Sequence, residues 1–249
     1  MNICVIPARG GSKRIPNKNI KDFCGKPIIA WSIECALDSG CFDEIIVSTD
    51  DAKIAEVAQS FGAKVPFMRP KNLADDFTGT VPVVQHAVDW CAEHQTMPKN
   101  VCCLHATAPF VLPVYLQEGL SLLQTEGVDY VFSAAEFESP FQRSFKLTDS
   151  GHIEMFYPEN IDARSQDLTP AFYNAGQFYW GKGNAWAEGK RVLLSRSKPM
   201  IVQRGRAQDI DTLADWEYAE ILFKCIHELG QDRNSLVMEF PIQQEERHS

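Results

Sequence analysis

Early in the chain stands the run Ala8-Arg9-Gly10-Gly11-Ser12-Lys13-Arg14-Ile15-Pro16-Asn17-Lys18-Asn19. Arg9, Lys13 and Lys18 are spaced cations able to neutralise a triphosphate. Gly10 and Gly11 lack the Cβ that keeps a backbone away from a bulky anion, and successive N–H groups around Ser12 can converge on its oxygens. A solvated basic loop would also hold cations. The coincidence of glycine pair, hydroxyl and spaced charge at the end of an apolar run favours a phosphate site. Neither common nucleotide fingerprint is present: there is no G-x-x-x-x-G-K-[ST], and no G-x-G-x-x-G with a helix opening behind it. A P-loop kinase or phosphatase and a dinucleotide-binding dehydrogenase are therefore disfavoured.

Asp209-Ile210-Asp211 is the second feature. In extended backbone, residues two apart face the same side, so both carboxylates can reach one site. Paired carboxylates, with phosphate oxygens completing the shell, suit Mg²⁺. The plainer reading makes Asp211 the cap of the next helix and leaves Asp209 in water. A triphosphate-type loop in the same chain favours the metal.

These residues need a scaffold, and the apolar periodicity supplies one. Residues 2–6 read as a buried strand, closed by Pro7 and the glycine pair. Pro27 opens a helix with Ile28, Ile29, Ile33, Ala36 and Leu37 at helical spacing, closed by Gly40. Strand 44–48 precedes helix 51–61, with Asp51 as N-cap and Gly62 as C-cap. Strand 65–68, helix 81–94, strand 101–105, helix 113–125 and strand 130–135 follow. This alternation predicts an α/β fold: three layers around a mostly parallel sheet. Ligands of such sheets bind beyond the C-terminal strand ends, here the loops after Ile6, Ser48, Met68 and His105. Residues 136–172, rich in Phe, Tyr and Pro, break the pattern as an insertion within a single domain spanning 1–249. Strands 174–180 and 200–203 resume it. Asp211 then caps a final helix with Trp216, Ala219, Leu222, Cys225, Ile226 and Leu229 on one face, and the polar tail 243–249 is expected to fray.

Composition narrows the classes further. A chain of 249 residues fits one generous domain, and 45% hydrophobic with 23% charged residues is ordinary for a globular protein. A formal charge of -9 argues against nucleic-acid binding, which needs a broad basic footprint. The eight cysteines form no CxxC pair, and several lie in apolar runs such as Val101-Cys102-Cys103-Leu104, as reduced buried thiols do. The chain enters a strand-like run at once and contains no apolar stretch as long as a membrane span, so a cytoplasmic protein without membrane contact is expected.

The Gly-rich loop also resembles the signature of the cytidylyltransferases that activate acidic sugars. The resemblance runs through nearly the entire chain. It returns in Ile46-Val47-Ser48-Thr49-Asp50, Arg69-Pro70, Thr107-Ala108-Pro109, Asn174-Ala175-Gly176 and Asp209-Ile210-Asp211. It implies a Rossmann-like, nucleotide-diphospho-sugar transferase-like fold, in which an anomeric hydroxyl attacks the α-phosphorus of CTP and pyrophosphate leaves. Within it, Arg9, Gly10, Gly11, Ser12, Lys13, Lys18 and Asn19 would hold phosphates and ribose, and Arg69, Thr78 and Thr80 would border the cytosine. Asp209 and Asp211 would hold Mg²⁺, with Arg9, Lys13, Lys18 and Asp211 carrying catalysis. Arg164 would pair with the sugar carboxylate, Arg143 being a looser match for that role, and Asn174 and Gln177 would line the sugar pocket. The family's insertion implies a homodimer. His105 stands where relatives place a sugar-contacting glutamine, although a histidine at a buried sheet end is as readily a core residue.

Three details resemble the pseudaminic acid branch: Arg69-Pro70 with Asp75-Asp76-Phe77-Thr78-Gly79-Thr80, His105-Ala106-Thr107-Ala108-Pro109-Phe110, and Tyr173-Asn174-Ala175-Gly176-Gln177-Phe178-Tyr179-Trp180. N-acetylneuraminic, legionaminic and ketodeoxyoctonic acids stay open as sugars. Two other classes are weighed. A glycosyltransferase would use Asp209-Ile210-Asp211 as a DxD-like motif but needs no triphosphate loop, and a nucleotide sensor would need no carboxylate pair.

Overall fold

A computed structural model describes residues 1–232 of the chain, so the tail 243–249 lies outside the described residues. In chain order the elements are β1 (Asn2–Pro7), β2 (Asp22–Phe23), β3 (Lys26–Pro27), α1 (Ile28–Asp38), β4 (Glu44–Ser48) and α2 (Ala52–Ser60). Next come α3 (Thr80–His94), β5 (Asn100–Leu104), α4 (Pro113–Leu123), β6 (Tyr130–Glu136), β7 (Phe145–Leu147) and β8 (Ile153–Met155). The last are β9 (Phe172–Lys182), α5 (Gly183–Ala187), β10 (Ser197–Ile201) and α6 (Leu213–Asp232). The main sheet has the order β10-β6-β9-β5-β1-β4. β1 runs parallel to β4 and β5, and β10 parallel to β6; β9 is antiparallel to both its neighbours.

Central strands buried on both faces read as continuous apolar runs, and β1 and β5 do so. Cys4, Ile6, Cys102, Leu104, Phe178 and Trp180 face a cluster completed by α1, α2 and α4. Ile3, Val5, Val101, Cys103 and Tyr179 face a second, completed by α3 and α5. A third cluster joins Ile15, Phe23, Ile28, Phe110 and Ile210 to Trp216, Ala219 and Phe223 of α6. It ties the Gly-rich loop, β2 and α1 to the segment that carries both aspartates.

Several expectations are corrected. Residues 65–68 form no strand; isolated bridges, Ile46↔Lys64 before them and Thr49↔Met68 at their end, tie the segment to β4 and the residue after it. Pro66 has no N–H to give a ladder. The last sheet strand starts at Ser197, three residues before the expected one, because at an edge Lys198 and Pro199 are tolerated. Asp51 does cap α2, accepting from the N–H groups of Lys53 and Ile54, and Gly62 follows with φ 94°. Pro27 precedes α1 instead of occupying its first turn. Cys225 is exposed, half a helical circuit from Trp216, while Phe223 takes the buried place; the side chain of Leu229 lies outside the described residues.

The insertion folds on itself. β7 and β8 pair only with each other, and short turns of 3₁₀ helix flank them. Among the described residues, no helix is long and apolar enough to cross a membrane, and all eight cysteines are free thiols.

Candidate active site

At the C-terminal ends of β1 and β5 lies an open cleft of about 510 Å³. Five cations line it (Arg9, Lys13, Arg14, Lys18 and Arg69) against two carboxylates, Asp76 and Asp211. In a chain of formal charge -9, that concentrates the positive potential where an anion can enter. The first turn of α3 adds the positive end of its dipole, with Thr78, Gly79 and Thr80 on the wall.

The loop that carries the cations is pinned at both ends. Ile15 is fully buried in the third cluster, and the side-chain amide of Asn19 donates to the carbonyl of Arg9 at 2.9 Å. Asn19 therefore braces the loop from a buried position on the cleft wall. Gly10 has a role different from the expected one. Its N–H donates to Asp50 Oδ1 at 2.9 Å, and a Cβ placed there would stand 2.7 Å from Asp51 Oδ2. Close approach to the β4–α2 junction demands this glycine, and its amide is not free for phosphate. Gly11 is exposed and, with Gly10, lies off the cleft lining, while the Ser12 N–H turns back to the Gly10 carbonyl at 3.0 Å. The cations and the Ser12 side of the loop face the cleft; a nest of glycine amides does not form.

Lys18 Nζ donates to the Ile210 carbonyl at 2.7 Å and to Asp211 Oδ1 at 3.3 Å, while Arg14 reaches Asp211 Oδ2 at 2.9 Å. These contacts join the Gly-rich loop to the aspartate pair across 192 residues of sequence. Asp211 does not cap α6. Thr212 and Asp215 form the cap: the Asp215 N–H donates to Thr212 Oγ1 at 3.2 Å, and Asp215 Oδ2 accepts from Thr212 N at 2.7 Å. Ile210 is buried, which turns Asp209 and Asp211 away from the core. Asp209 is exposed as a residue, yet its carboxyl is raised above the ordinary range, first by loss of solvent and then by the charge of Asp211, with Lys18 opposing. Two carboxylates close enough to repel, one facing the cleft, are a donor set that fits a hard divalent cation.

Arg69 is buried against the end of β4. Its Nε donates to Ser48 Oγ at 3.1 Å, and its Nη2 donates to the Ser48 carbonyl. Burial lowers its pKa, with Asp50 opposing. Thr78 Oγ1 is committed to Asp75 Oδ1 at 2.7 Å. His105 lies on the cleft lining with its ring 5.6 Å from that of Tyr179. Burial, followed by the charge of Lys18, pushes its pKa down to about 4, so the imidazole is neutral near pH 7.

The expected sugar-side residues divide. Asn174 is joined to the cleft floor indirectly: its amide donates to the Tyr179 hydroxyl at 2.9 Å, and that ring neighbours His105. Gln177 is a correction. It is 1% exposed, its Nε2 donates to the Arg206 carbonyl, and it braces β9 against the turn at 204–206 instead of lining the cleft. Arg164 and Arg143 are corrections too, because the insertion satisfies them within itself. Arg164 pairs with Asp167 at 2.7 Å, and Arg143 donates to Ser165 Oγ at 3.3 Å and to the Ala163 carbonyl. Neither reaches the cleft of its own chain. Sequence reasoning missed Arg14, although it lies in the quoted loop, and the partners Asp50, Asp76 and Tyr179, which stand in quoted motifs with no role given.

Residues 3–175 match the family described as Cytidylyltransferase. The chain is 46% identical over 227 residues to the pseudaminic acid cytidylyltransferase of Campylobacter jejuni subsp. jejuni serotype O:2, covering 91% of this chain and 98% of that one. It is 32% identical to the CMP-N,N'-diacetyllegionaminic acid synthase of Legionella pneumophila subsp. pneumophila, covering 91% and 97%. Among solved structures, CMP:2-keto-3-deoxy-manno-octonic acid synthetase complexed with CTP superposes with a TM-score of 0.65 at 18% identity, covering 90% of this chain and 98% of that one, which shows a shared fold.

Proposed function

The chain belongs to the cytidylyltransferase family, and from that premise we propose that it activates pseudaminic acid: CTP and the sugar give CMP-pseudaminic acid and pyrophosphate. The observation that carries the reading is the meeting of Lys18 and Arg14 with Asp211 at a cleft lined by Arg9 and Lys13. It sets phosphate-neutralising cations beside a metal-competent carboxylate. The choice of sugar is supported by the Campylobacter relative, which matches along almost its whole length.

The sugar's anomeric hydroxyl attacks the α-phosphorus in line, the P–O bond to the β-phosphate breaks, and the hydroxyl proton passes to solvent. Most of the rate comes from positioning and charge neutralisation. Arg9 and Lys13 hold the departing phosphates, and Lys18, fixed by the Ile210 carbonyl, bridges them to the aspartate side. Thr80 and the α3 terminus border the base. His105, neutral near pH 7, can exchange hydrogen bonds with the sugar but offers it no charge. Asp209 and Asp211 would hold Mg²⁺, which when bound supplies positive charge to phosphate oxygens and acidifies the attacking hydroxyl. The enzyme is expected to work as a homodimer in the cytoplasm, a setting that suits its free thiols.

The test is pyrophosphate release from CTP and Mg²⁺ with pseudaminic, N-acetylneuraminic, legionaminic and ketodeoxyoctonic acids in parallel. Release with pseudaminic acid alone is expected. Release with another of them instead would keep the chemistry and remove the sugar assignment, and no release with any would remove both.

A further inference from the structure

Two of the cations on which phosphate binding depends are held by a single carboxylate. Asp76 Oδ1 accepts from Arg9 Nη1 at 2.7 Å, and Asp76 Oδ2 accepts from Lys13 Nζ at 2.5 Å. One anionic group with two oxygens thus spans both side chains, as a phosphate would. Both hydrogen bonds keep the Asp76 carboxyl below the ordinary carboxylate range, Lys13 contributing most, so it is charged whenever a nucleotide arrives near neutral pH.

The segment that carries Asp76 is braced from within. Asp75 Oδ1 accepts from Phe77 N at 2.9 Å, Thr78 N at 2.7 Å and Thr78 Oγ1 at 2.7 Å, fastening the turn to the start of α3. Arg9 Nη1 also donates to the Asp75 carbonyl at 2.8 Å. Apolar packing adds nothing at the tip, where Phe77 is 95% exposed. The Lys13 side chain is 80% exposed, so its pair with Asp76 is an exchangeable contact in water and not a buried structural one.

We propose that Asp76 is an internal phosphate surrogate, displaced from Arg9 and Lys13 by the entering triphosphate and returning to them as pyrophosphate leaves. The inference rests on the cleft being a triphosphate site. The charge balance supports exchange in both directions. A triphosphate brings about four negative charges against the one on Asp76, and so wins the cations on entry. After the α–β bond breaks, that charge is divided between two products. A tethered carboxylate, at high effective concentration, then competes with pyrophosphate alone. Asp76 is thus a positioning residue that sets the strength of triphosphate and pyrophosphate binding and takes no part in bond making.

Calorimetric titration of wild type, Asp76→Asn and Asp76→Glu with CTP and with pyrophosphate, in the absence of sugar, tests this. Asp76→Asn is expected to bind both about three- to tenfold more tightly, the scale of losing one or two exposed ion pairs as competitors. In turnover, its KM for CTP falls and pyrophosphate inhibits at lower concentration, while KM for the sugar stays unchanged. Asp76→Glu keeps the charge and remains near wild type. Unchanged or weaker pyrophosphate binding by folded Asp76→Asn overturns the inference. Tighter pyrophosphate binding in a chain that ignores CTP would remove the CTP assignment and leave the surrogate standing, and a chain that binds neither ligand overturns both.

Discussion

Asp211 reads in the sequence either as a helix cap or as half of a metal site, and the hydrogen bonds of residues 211–215 remove the first of these. Thr212 and Asp215 satisfy the first turn of α6, so the Asp211 carboxylate is left to face Lys18 and Arg14 in the cleft. Asp211→Ala should therefore leave the α6 cap intact while lowering turnover at least on the order of a hundredfold, the scale of removing a main electrostatic stabiliser. Pyrophosphate release by a variant of unchanged circular dichroism measures it, and near-normal turnover would refute the metal role. At this scale the cations were legible, because Arg9, Lys13 and Lys18 share one short run. Their partners were not. Asp76 lies 67 residues from Arg9 and Asp50 lies 40 from Gly10, and no local spacing rule links such positions. At Gly10 the sequence suggests a backbone brought close to phosphate, whereas in the fold its missing Cβ clears Asp51.

The sheet sets Asn174 and Tyr179 together through an irregularity that periodicity cannot forecast. The sequence predicts a plain strand over 174–180, whereas β9 pairs with β6 in two stretches, 172–174 and 179–181, with an irregularity between them. The register against β6 slips between Phe132 and Ala134, and Gly176 adopts φ 64°, a conformation suited to glycine. What holds the bulge open is Ser133 of the neighbouring strand, whose Oγ accepts from Gln177 N at 3.1 Å and Phe178 N at 3.2 Å. Both amides are buried, and no feature of residues 174–180 indicates where they find an acceptor. Ser133→Ala leaves them unsatisfied, at a cost of about 1–3 kcal/mol. Thermal unfolding should shift down accordingly, by roughly 2–4 °C per kcal/mol for a domain of this size. Because the same bulge sets Asn174 against Tyr179, KM for the sugar should rise several times more than KM for CTP in steady-state kinetics. An equal rise in both, or none, would show that the bulge is structural only. Elements built from local signals, such as α2 with its Asp51 cap, were legible almost to the residue; those that depend on a partner strand or a sheet edge, like β10, were displaced.

Across the whole molecule, the apolar surface is unevenly spent. The main sheet is covered on both faces by helices, whereas the β7–β8 hairpin leaves Phe145, Leu147 and Ile153 at 52%, 70% and 64% exposure, with Phe156 and Ile161 beside them in sequence also exposed. Single exposed apolar residues are normal, but a run of them on one small hairpin is the kind of surface through which chains associate. The composition of 136–172 signalled an insertion, and its purpose is legible only from the side chains left unpaired with the core. We expect two chains to meet through it, covering Phe145, Leu147 and Ile153. Leu147→Asp combined with Ile153→Asp would place two charges in that contact. Losing such anchors typically costs about 2 kcal/mol or more each, so the dimer should weaken by at least on the order of a hundredfold. Sedimentation equilibrium at micromolar concentration reads the outcome directly: a dimer for the wild type and a monomer of unchanged helical content for the double variant. A wild-type monomer would remove the association altogether. A variant that stays dimeric would move the contact to another face.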